Sequence, residues 1–102
     1  MQANIANAEL SARFVEAAFS KKFEAIALRN RLVGYWAAGL MGRHDKAAYA
    51  NELHDIDVQA AGGNEMFFRL SADLSARGIY IREGELRSII ENFFAEAANT
   101  VL

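Results

Sequence analysis

A chain of 102 residues with a formal charge of −2, no proline and no cysteine fits a single domain, permits long unbroken helices and leaves out disulfide and thiolate chemistry. The weak negative charge argues against bulk nucleic-acid binding, which needs a dense basic patch. No apolar run approaches a membrane span and the start, MQANIANAELSARF, lacks the regions of a secretory signal, so no membrane insertion and a cytoplasmic location are expected.

The apolar residues follow a 3.6 period throughout, with no sustained alternation of the strand type. The first predicted helix runs from about Ala8 to Met41. Its stripe is Phe19, Phe23, Ile26, Val33, Ala37 and Leu40, with Asn30 on the same line and Gly42 just past the end. Asn7 and Ser11 can each cap its start. The second runs from about Asp45, a fair cap, to Ala60, with Tyr49, Leu53, Ile56 and Ala60 inward and Gly62 and Gly63 as a stop. The third covers Asn64 to Ala76, with Phe67, Leu70 and Leu74 inward, Met66 beside them and Gly78 as C′. Ile79, Tyr80 and Ile81 read as an extended link pressed against the bundle. The fourth helix spans about Glu83 to Thr100, with a stripe of Leu86, Ile89, Ile90, Phe93 and Ala97. Glu83 and Glu85 suit its first turn, whereas Arg82 is a weak cap.

Four amphipathic helices with short loops predict an all-α fold, a small four-helix bundle with a long N-terminal helix. The other helices are too short to cover the first. Its N-terminal part must therefore project, bend back, dimerise or stay loose, and the chain divides into a helical segment 1–18 and a bundle core 19–102.

Within the first helix, Gly34 costs roughly 1 kcal/mol relative to alanine unless a neighbouring backbone or ring approaches closely there. Gly39 eases packing or termination. Asn30 turns inward and needs partners, from a loop backbone or a polar side chain on another helix. Trp36 lies beside the stripe, as a core-edge residue over the connector at Tyr80 or as an interface anchor.

No constellation of side chains supports catalysis. His44 and His54 are ten residues apart and form no metal-ligand pattern. His54, Asp55 and Asp57 read as a solvated helix face. Ser71 and Ser75 lack a base, and GGNE at 62–65 lacks the pattern of a phosphate loop. Neither catalytic residues, metal nor cofactor are expected. Arg69, Asp73 and Arg77, and also Glu83 and Arg87, are spaced by four as surface pairs. Lys21, Lys22, Arg29, Arg31 and Arg43 make the first helix basic, either as a solvated face or as a docking surface for an acidic partner. The strip of Ile5, Leu10, Phe14, Val15, Ala18 and Phe19 suits a helix-in-groove ligand, with Leu10, Phe14, Val15 and Phe19 as the partner-binding candidates. Packing against its own bundle or a second copy is the competing reading.

Three blocks carry a resemblance: KFEAIALRNRLVGYWAAGLMG, DVQAAGGNEMFFRLSADLSARGIYI and REGELRSIIENFFAEA. They resemble the zeta subunit family of the alphaproteobacterial F-type ATP synthase, long known only as a domain of unknown function. The family signature falls on Arg29, Asn30, Arg31, Leu32, Val33 and Gly34, then on Trp36, Ala37 and Ala38. It continues on Phe67 or Phe68, on Arg69, and on Asp73, Leu74, Arg77 and Gly78. The resemblance implies a four-helix bundle with no enzymatic activity. It further implies inhibition of ATP hydrolysis by F1, through an N-terminal helical segment inserted among the alpha, beta and gamma subunits. The chain departs from the family pattern in three places. Its N-terminal zone lacks the Asp-Asp-Arg run, the segment between the first two helices is short, and Arg82 and Gly84 replace the usual cap and nearby histidine of the last helix. Two other readings stand beside the inhibitor. One is a helical interaction module, homodimeric through Phe14, Val15 and Phe19. The other is a small-molecule or nucleotide module with a pocket near Asn30 and Trp36.

Overall fold

The longest element is α1, Gln2–Leu40. No proline interrupts it, and at 1.5 Å per residue it reaches about 58 Å. In this computed structural model, the backbone of residues 2–60 and 64–101 and the side chains of residues 16–60 and 64–101 are described. Three further helices follow: α2, Lys46–Gln59, α3, Asn64–Ala76, and α4, Glu83–Val101. Among the described residues there is no strand. The expected α1 start at Ala8 is corrected to Gln2, and the backbone is helical through Asn7 and Ser11, so neither caps the helix.

Short connections fold the helices back on one another. The C-terminal part of α1 packs against α2 and α4, and α2 packs against α3. The core is formed by Val33, Ala37, Ala38 and Met41 of α1 and its turn, Tyr49 and Leu53 of α2, Met66, Phe67, Leu70 and Leu74 of α3, and Leu86 of α4. The α3 stripe is the one expected, with Met66 also buried. In the connector, Ile79 and Ile81 pack against the core while Tyr80 is 81% exposed. Trp36, read as a core-edge residue over the connector around Tyr80 or as an interface anchor, is partly buried against the core, and its ring meets Phe93 of α4, with centroids 6.0 Å apart.

Two helix ends share one device. After α1, the Gly42 N–H bonds to Gly39 O and the Arg43 N–H to Ala38 O. After α3, the Gly78 N–H bonds to Ser75 O and the Ile79 N–H to Leu74 O. Both are Schellman motifs, and both C′ residues have the positive φ, 69° and 75°, that glycine adopts without strain. The start of α2 differs from expectation. Asp45 occupies the cap position, but its side chain makes no capping bond. It accepts instead from Arg43, at 2.8 and 2.6 Å. The predicted stop at Gly62 and Gly63 lies outside the described residues.

The predicted α1 stripe needs correcting at both ends. Phe19 is 56% exposed and Phe23 66%, whereas Ala25, Asn30, Val33, Ala37 and Ala38 are buried. Phe19 and Phe23 continue the inward line of α1, but α2 runs back along α1 only as far as its own end at Gln59. Leu40 is also exposed, because it sits to the side of the line through Asn30, Val33, Ala37 and Met41.

Candidate functional site

The helix crossing starts at Gly34. A Cβ there would lie 2.5 Å from Ala50 Cα and 2.6 Å from Ala50 Cβ, so only glycine lets α1 and α2 approach this closely. One turn earlier on α1 and one turn later on α2, the same approach brings short polar side chains within reach. Asn30, fully buried, donates from Nδ2 to Asp57 Oδ2 and lies 3.0 Å from His54 Nδ1. Its Oδ1 accepts from Arg29 Nε and Nη2 at 3.1 and 2.9 Å, and Arg29 Nη2 also donates to Asp57 Oδ2 at 2.9 Å. The amide orientation is set by its neighbours, oxygen toward guanidinium and nitrogen toward carboxylate. With the Asn30 amide as donor, His54 accepts at Nδ1 and carries its proton on Nε2. The ion pair is largely buried, with side chains 17% and 8% exposed. The Arg29 guanidinium also lies 5.9 Å from the Phe94 ring of α4, so this cluster touches three helices.

His54 and Asp57 therefore do not form the solvated face that their adjacency suggested. Their signal was present in the spacing: Ala50, His54 and Asp57 fall on one side of α2 at intervals of four and three. The polarity of the last two masked it.

A second cluster joins α2 to α3. Tyr49 is fully buried and its hydroxyl donates to Asp73 Oδ2 at 2.9 Å. Arg69 donates to the same oxygen at 2.9 Å and to Glu52 at 3.1 Å. Burial, reinforced by the bond to Asp73, pushes the Tyr49 hydroxyl well above its ordinary pKa. The bond to Asp73 likewise raises Arg69. At the turn, the bond from Arg43 holds the Asp45 carboxyl below the usual range, and the Arg43 guanidinium lies 4.5 Å from the Tyr49 ring. Arg77 was expected to pair with Asp73. It reaches the other way and donates to the Met41 carbonyl at 2.7 Å, satisfying a backbone acceptor at the end of α1. The Glu83–Arg87 pair is present at 3.2 Å. Among the described residues no buried side-chain polar atom lacks a partner.

The signature residues are thus structural in their contacts. Arg29, Asn30 and Gly34 fix the α1–α2 crossing, Arg69 and Asp73 tie α2 to α3, Gly78 ends α3, and Trp36 faces α4. They do not gather into one pocket, and Asn30, with both its polar atoms bonded, opens onto none of the cavities described. Of the predicted basic face, Arg29 and Arg43 are engaged within the fold, while Lys21, Lys22 and Arg31 are exposed.

The partner-binding candidates lie apart from both clusters. Every side chain from Glu16 to Glu24 is exposed, Phe19 among them. The side chains of Leu10, Phe14 and Val15 lie outside the described residues. Beside this stretch, between α1 and the last turns of α4, is an apolar groove of about 420 Å³. Among the described residues no three acidic, histidine or cysteine side chains come together as a metal site, and no helix is long and apolar enough to cross a membrane.

Fold and site define a class: a small four-helix protein whose buried polar side chains serve to join its helices, and whose first helix runs on past them with an exposed face. The chain belongs to the family described as ATPase inhibitor subunit zeta, whose model matches residues 6–100. No curated protein matches it.

Proposed function

We propose that this protein is a cytoplasmic, non-enzymatic regulator that binds the F1 sector of ATP synthase and suppresses ATP hydrolysis through the N-terminal part of α1. The observation that carries this reading is the family match over residues 6–100. It is supported by an α1 that runs on from the bundle with the apolar side chains of Phe19 and Phe23 exposed. An extended helix with one apolar line is a suitable ligand for a groove between subunits, where burial of aromatic anchors supplies most of the affinity. On this reading Leu10, Phe14, Val15 and Phe19 make the contact with the alpha, beta and gamma subunits. Residues 1–18 are then the acting segment, and 19–102 the bundle that carries it.

The test is ATP hydrolysis by F1 from the same organism, titrated with the full chain. Inhibition that saturates near one-to-one and disappears on deleting Met1 to Phe14 is the expected result. Undiminished hydrolysis at large excess of folded protein refutes the reading.

A further inference from the structure

The groove between α1 and α4 arises from small side chains on both helices. Ala17, Ala18 and Ala25 form its α1 side, and Phe94, Ala98 and Val101 its α4 side. Larger residues at the alanine positions would close it; as built, it holds about 420 Å³, within the range of sites that enclose a small organic molecule. Among the described residues the charged side chains lining it are Lys21 and Lys22. Both are exposed, and neither joins an ion pair among the described residues. Among the described residues no carboxylate lines the groove, although the chain as a whole carries a net charge of −2. The two lysines also fall on opposite sides of the Ala18–Ala25 line, since adjacent residues on a helix are turned about 100° apart.

These features select an occupant. Among the described residues the walls offer no hydroxyl, amide or carboxylate side chain, so a sugar or nucleotide would lose its hydrogen bonds to water without replacement. An apolar chain loses nothing there and leaves water. A flexible ammonium on each side of the groove suits one anionic end group, held as a charge-assisted pair.

We infer that the α1/α4 groove binds a free long-chain carboxylate, its tail between Ala18, Ala25, Phe94 and Ala98 and its head group on Lys21 and Lys22. The inference is independent of the F1 reading. It assigns a ligand to the point where α1 leaves the bundle, so occupancy ties the root of the proposed acting segment to α4.

The experiment uses the full chain and dodecanoate below its micelle concentration, followed by calorimetry and by the methyl signals of Ala98 and Val101. Saturable one-to-one binding with shifts confined to those signals and their groove neighbours is the expected result. Ala18→Trp, which fills the groove, abolishes it. The double variant Lys21→Gln with Lys22→Gln alters two exposed residues and keeps the fold; it weakens binding roughly tenfold, the scale of two lost surface charge contacts. Dodecanol, lacking the charge, binds more weakly by a similar factor. Absence of saturation overturns the inference, as does equal binding by the lysine double variant. Binding only to vesicles of anionic lipid, with none of the free carboxylate, also overturns it.

Discussion

The two parts of α1 share one helix and one apolar line, yet their surroundings are opposite. From Asn30 to Met41 the line is buried, with Gly34 beside it; from Glu16 to Glu24 every side chain is exposed, Phe19 and Phe23 included. The larger side chains are on the exposed part. Close packing of α2 needs a glycine at the crossing and a polar bridge beside it, and only the second part has them. Phenylalanines without a neighbouring helix present a surface to other molecules. An apolar stripe therefore marks a face available for burial, and the length of the partner helices decides how much of it becomes core.

That contrast breaks first at the buried ion pair. Asp57→Ala leaves the Arg29 guanidinium without its carboxylate and takes one acceptor from the Asn30 amide in a largely buried site. A loss of about 3 kcal/mol is expected, read as a lower urea midpoint at unchanged slope. An unchanged midpoint would mean that the cluster does not hold α1 to α2.

Next comes the crossing. Gly34→Val forces a side chain into Ala50 and should cost about 2–3 kcal/mol. Gly39→Ala meets nothing closer than the Lys46 ammonium at 3.9 Å and should gain about 0.5 kcal/mol from helix propensity alone. Thermal unfolding of the pair separates close approach from propensity; equal shifts in one direction would refute the account.

Tyr49 gives a smaller effect with a sign in pH. Its folded pKa is raised by burial and by Asp73, so its contribution is complete below the unfolded value of about 10. It is lost as pH rises beyond that toward the folded value. Tyr49→Phe should cost about 1 kcal/mol at neutral pH, for the hydroxyl bond, and should flatten the decline in stability above pH about 10. A decline of equal slope in the variant would place its origin elsewhere.

The smallest expected change in stability is at the exposed end. Phe23→Ser removes an aromatic side chain that is 66% exposed and should shift the midpoint by less than about 0.5 kcal/mol. If α1 acts on F1 as proposed, Phe19→Ser, at one of the proposed contacts, weakens inhibition. A large loss of stability would show that Phe23 is covered, and the comparison between the two parts of α1 would fail.

Much of this was legible in the residues. The 3.6 period places four helices, and α3 lies where Asn64 to Ala76 predicts it. Gly42 and Gly78 end helices because φ near 70° favours glycine. The inward turn of Asn30 and a close approach at Gly34 follow from their places on the stripe, and both are present. Pairing was much less legible. His54 and Asp57 looked solvated because polar residues on a helix usually are. Arg77 fits Asp73 by spacing but bonds a carbonyl 36 residues away.

The sequence by itself determined which segments are helical, where glycine ends them and which face of each is apolar. These depend on neighbours within a turn or two. Only the tertiary structure decided that Asn30 meets His54 and Asp57, that Tyr49 meets Asp73, and that Phe19 and Phe23 stay exposed. Those outcomes depend on where α2 and α4 end along α1, a relation between distant segments that no local period encodes.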